Sequence, residues 1–145
     1  MGFGPTPDSW ILRSDKDTHY TTSLAQNALD LESVGFLPTP SVIITRLTLW
    51  SDQNLDWDVM FFRTATAQPN ADADLDTMVD WFRFLTTDAV QIAGTGLWRY
   101  SISGMNFRYN PVDGQAHVGL LNRNAVAKNA GATGEVVIEL QGPVL

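Results

Sequence analysis

From Val42 to Leu140 apolar and polar residues alternate in short runs, each stopped by Pro, Gly, Asn, Asp or Thr before it is long enough for a stable helix. A period of two buries one face of a strand, so the pattern calls for antiparallel sheets packed face to face. The spacing predicts a strand over Val42–Ser51, with Ile43, Leu47 and Leu49 on one face and Ile44, Arg46, Thr48 and Trp50 on the other. A hairpin through Asp52-Gln53-Asn54 leads to a second strand over Asp56–Thr64, with Trp57, Val59 and Phe61 inward. Leu75, Met78, Val79 and Phe82 stand at helical spacing, which predicts a short helical turn before a strand through Leu85.

Val90–Ala93 and Leu97–Ser103 read as strands around a Gly94-Thr95-Gly96 break, and Met105–Tyr109 as another. Asp113-Gly114 is the strongest turn signal, since a primed turn needs positive φ; it predicts a hairpin joining 107–109 to 116–121. In the last strand Val136, Ile138 and Leu140 face inward and Glu135 and Glu139 outward, as on an edge or exposed face. No crossover helices of a parallel sheet are present. The expected class is all-β, an antiparallel, jelly-roll-like β-sandwich over residues 42–145.

Residues 1–41 differ. Gly2, Gly4, Pro5, Pro7, Pro38 and Pro40 punctuate both ends, and Trp10-Ile11-Leu12 and Ser23–Leu31 offer only a short strand and a couple of helical turns. Neither element is stable alone, so the segment is expected to be an extended N-terminal arm.

The chain of 145 residues is long enough for one domain that buries roughly 70% of its unfolded surface. It has no cysteine, hence no disulfide or thiolate chemistry. Sixteen acidic against nine basic side chains give a net charge of −7, which disfavours nucleic acid and anionic membranes as partners. The opening Met1-Gly2-Phe3-Gly4-Pro5 lacks the features of a secretory signal, and synthesis in a cytoplasm is expected. The cations are seven Arg and two Lys, a bias that suits subunit contacts as well as a solvated outer face.

Catalytic chemistry is poorly supplied. Only His19 and His117 could serve as imidazole bases, and His117 alternates with Val118 as a structural histidine on a polar face would. Asp56 and Asp58 flank Trp57 but read as outward, solubilising carboxylates rather than a glycosidase pair. Asp72, Asp74 and Asp76 match the first three ligands of a calcium loop, but Thr77 and Arg83 stand where its Gly and bidentate Glu belong, leaving a weak metal candidate. The expectation is a protein that is not an enzyme and carries no cofactor.

Five Trp, seven Phe and three Tyr exceed what the strands need. Trp50, Trp98 and Tyr100 fall opposite the clearest inward residues and are candidate platforms for a sugar ring or another subunit. With Phe3, Trp10, Ile11, Leu12 and Phe36 of the arm they form the candidate interface set.

The tract from Gly96-Leu97-Trp98-Arg99-Tyr100, through Asp113-Gly114-Gln115-Ala116-His117-Val118 and Leu121-Asn122-Arg123-Asn124 to the strand ending at Leu140, resembles small virion structural proteins of tailed bacteriophages. The likeness is to capsid decoration or cement proteins with a jelly-roll-like sandwich, and it is one of style rather than of an invariant motif. It implies a non-enzymatic accessory subunit, often a homo-trimer, in the virion. Its terminal arm would reach across other virion proteins, such as the major capsid or head protein. The alternative is a carbohydrate-binding β-sandwich module using exposed aromatics.

Overall fold

The structure, a computed structural model, describes residues 9–14, 29–52, 54–65, 77–94, 96–122 and 136–144. The strands are β1 (Ser9–Arg13), β2 (Leu29–Phe36), β3 (Val42–Ile44), β4 (Arg46–Ser51), β5 (Trp57–Phe62), β6 (Met78–Phe84), β7 (Val90–Gln91), β8 (Trp98–Ile102), β9 (Phe107–Tyr109), β10 (Gln115–Asn122) and β11 (Val136–Pro143). A five-stranded sheet runs β1-β11-β4-β8-β7, a four-stranded sheet β2-β10-β5-β6, and β3 pairs with β9 alone. Every pairing is antiparallel.

The pairs are nested. β5 pairs with β6, β4 with β8, β3 with β9, β2 with β10 and β1 with β11. The chain is thus one antiparallel ribbon, doubled back between β5 and β6 and rolled so that the rungs on either side of the separate β3–β9 ladder fall in the four-stranded and five-stranded sheets by turns. That is the jelly-roll arrangement, and the expected sandwich class holds.

Local pattern predicted faces well and partners less well. Val136, Ile138 and Leu140 of β11 and Trp57, Val59 and Phe61 of β5 are buried as expected. The predicted 42–51 strand instead divides at Thr45, whose N–H and Oγ1 donate to the Gln141 carbonyl at 2.8 and 3.2 Å while its own carbonyl accepts from Met105 N–H at 3.0 Å. Here the chain steps from the β3–β9 ladder into the five-stranded sheet. β4 and β5 make no hairpin, because each finds its neighbours in a different sheet. Gly114 does take positive φ, +76°, yet the strands on either side of its turn pair elsewhere, β9 with β3 and β10 with β2 and β5. β11 is interior, between β1 and β4, rather than an edge. Met78–Phe84 is strand where a helical turn was expected to begin, and Leu75 lies outside the described residues.

The segment 1–41 also needs correcting. Its described parts are no detached arm: β1 is the edge strand of one sheet and β2 of the other, and the two touch. Trp10 and Leu12 pack on the core and Val34 is buried in it. Leu29–Leu31, expected to end a helix, belong to β2.

Between the sheets, Leu47, Leu49, Tyr100, Val136, Ile138 and Leu140 meet Trp57, Val59, Phe61, Phe84, Val118 and Leu120. Truncating one such side chain to Ala costs about 2–5 kcal/mol. Phe61 is the hub of an aromatic cluster, edge-on to Phe82, Phe107 and Tyr109 with centroids 5.8, 5.1 and 5.3 Å away. The buried hydroxyls have partners. Tyr109 donates to the Phe62 carbonyl at 2.6 Å and accepts from His117 N–H at 2.9 Å. Tyr100 accepts from Leu55 N–H at 2.8 Å and lies 2.9 Å from Asn54 Oδ1. Burial pushes both phenols up to about 12.

Candidate functional site

The outward face of the five-stranded sheet is read from its register. One row sets Ile11 beside Gln141 and Arg46; the next sets Arg13 beside Glu139, Thr48 and Ser101; the third sets Val137 beside Trp50, Arg99 and Val90. Trp50 stands on β4, the middle strand, so paired backbone holds it on both sides. Arg13, Trp50, Leu97 and Val137 line a shallow cavity of about 310 Å³. The Arg99 guanidinium lies over the indole, 5.9 Å from its centroid, and Arg13 is forked onto Glu139 Oε2 at 2.6 and 3.0 Å. Trp50 Nε1 is buried without an acceptor among the described residues, so the surface the ring still exposes is carbon.

Of the expected platforms, only Trp50 fits the part. Trp98 and Tyr100 point to the core: Tyr100 is fully buried and Trp98 packs partly buried against the core cluster. Tyr100 offers no surface to a ligand and Trp98 is turned to the same inner side, because their strand alternates Trp98, Tyr100, Ile102 inside and Arg99, Ser101 outside. In the N-terminal segment, Trp10 and Leu12 face the core, while Ile11 and Phe36 are 60% and 68% exposed. Phe3, His19 and the Asp72, Asp74, Asp76 set lie outside the described residues. Among the described residues, no three His, Cys, Asp or Glu gather as a metal site.

The carboxylates weighed for hydrolysis do not converge. Asp58, expected to be outward and solvated, is 2% exposed and takes Arg83 Nε and Nη2 at 2.9 and 3.3 Å. Arg83 also lies 4.9 Å from the centroid of the half-exposed Trp81, and the carboxylate holds its guanidinium pKa above the ordinary value. Asp56 accepts the Thr86 N–H at 2.7 Å, tying a turn. His117 Nε2 sits 2.8 and 3.0 Å from the two Asp113 oxygens, across the turn that Gly114 makes. That hydrogen bond, joined by Gln115 N–H, lowers the Asp113 pKa below the usual carboxylate range.

Sequence reasoning missed Val137 and Leu97. Val137 had a signal: it is the apolar member of an outward set whose other readable members, Glu135 and Glu139, are charged. No helix among the described residues is long and apolar enough to cross a membrane. No family model matches the chain, and no curated protein matches its sequence.

Proposed function

We propose that this chain is a non-enzymatic structural subunit of a virion, of the capsid decoration or cement type. It self-associates and docks on other virion proteins through its N-terminal segment. The observation that carries the reading is the split within that segment. Trp10 and Leu12 are used up by the chain's own core, whereas Ile11 and Phe36 stand exposed on β1 and β2, one on an edge strand of each sheet. Such an edge offers a row of main-chain donors and acceptors to an added strand, and the apolar side chains give the register. Burying either side chain in a partner contributes about 1.5–3 kcal/mol. The jelly-roll ribbon and the resemblance to small phage head proteins support the same reading.

Deleting the whole segment would strip an edge strand from both sheets, so point changes at exposed positions make the sharper test. The double variant Ile11→Glu, Phe36→Asp should keep the wild-type thermal midpoint. It should also lose self-association in light scattering and co-sedimentation with assembled shells. Undiminished assembly of a folded double variant would end the proposal.

A further inference from the structure

Independently of docking by the edge strands, we propose that the outward face of the five-stranded sheet, around Trp50, binds a carboxylated sugar ring. The charge of this face is the first argument. In a chain of net −7, the described outward positions of this face carry Arg13, Arg46 and Arg99 against Glu139 on β11, with Asp52 one residue past the end of β4. Among the described residues this excess of cations inverts the sign of the molecule locally, and a positive island on an acidic protein selects an anionic ligand.

The second argument is shape. An indole that exposes carbon in the middle of a sheet, walled by Val137 and Leu97, suits the C–H face of a pyranose better than it suits a free phosphate. At about 310 Å³ the cavity lies at the small end of ligand pockets, with room for one ring and its substituents. It is too confined for the broad contact an acidic protein surface would need.

The third argument assigns the cations. Arg13 is held by Glu139, and Arg99 has no carboxylate partner among the described residues. The Arg99 guanidinium, which lies over one face of the indole at 5.9 Å from the ring centroid, is within reach of a carboxylate carried by a sugar packed on the carbon surface the ring leaves open, and its planar fork suits that group. Arg13 then adds long-range attraction, and Trp50 supplies the platform.

The test is titration calorimetry on the full chain with trigalacturonate, maltotriose and hexaglutamate at low ionic strength, repeated with Trp50→Ala and with Arg99→Gln. Arg99→Gln alters an exposed side chain, so it reads the site even where Trp50→Ala disturbs folding. Expected are saturable binding of trigalacturonate, at least about tenfold weaker binding of the other two probes, and about tenfold loss in each folded variant. Four results overturn the proposal: no saturable binding, maltotriose binding as well as trigalacturonate, hexaglutamate binding as well, or unchanged affinity in either folded variant.

Discussion

Gly142 lies directly across the β1–β11 ladder from Trp10, with the indole so close that a methyl group on the glycine would meet Trp10 Cζ2 at 2.7 Å and overlap the Ile43 carbonyl oxygen. The edge strand, the β3–β9 ladder and the last strand are all locked together at this point. The missing side chain, rather than a special backbone conformation, makes the fit.

Gly142→Ala is therefore expected to destabilise the fold by about 1–3 kcal/mol through overpacking, despite the usual gain from replacing a glycine in a strand. Urea denaturation checks it. A midpoint at or above that of the wild type would show that β1 shifts freely and is not locked.

Alkaline titration should single out the two core phenols. Tyr100 and Tyr109 have folded-state values raised from 10.0 to about 12, so the stability they confer is complete below pH 10. As the pH climbs from there towards about 12, the unfolded chain sheds these protons while the folded one keeps them, and stability falls. Absorbance at alkaline pH should show the Tyr100 and Tyr109 phenols ionising late, and the thermal midpoint should decline over the same window. Ionisation of Tyr100 and Tyr109 near pH 10 in folded protein would contradict the buried hydroxyl networks.

Removing the cation from the Asp58 pair leaves a buried carboxylate short of two donors. Arg83→Ala is expected to cost about 1–3 kcal/mol, well above the effect of an ordinary surface pair. A loss under about 0.5 kcal/mol in chemical denaturation would place Asp58 in contact with solvent.

Much of the fold was legible because alternation is local. Trp57, Val59 and Phe61 announce their shared face within five residues, as do Val136, Ile138 and Leu140. What a strand pairs with is settled by the whole ribbon: Trp50 meets Val137 and Arg99, residues far along the chain, and no nearby spacing encodes that. The turn at Asp113-Gly114 was readable as a turn and misread as a hairpin for the same reason. Asp58 was read as solvated because a charged residue at an outward strand position usually is; Arg83, its partner, lies on β6, directly opposite in a register the sequence does not spell out.

The nesting of the strands bears on how the protein is made. Ser9 pairs with Pro143, so the strand that pairs with β1 leaves the ribosome 134 residues after it, a gap of roughly 7–27 s at ordinary synthesis rates. During translation the hairpin of β5 and β6 can close early, but each outer rung must wait for its later half, and the five-stranded sheet is complete only when the final strand emerges. A cell making this protein has to shelter half a sheet until the other half arrives.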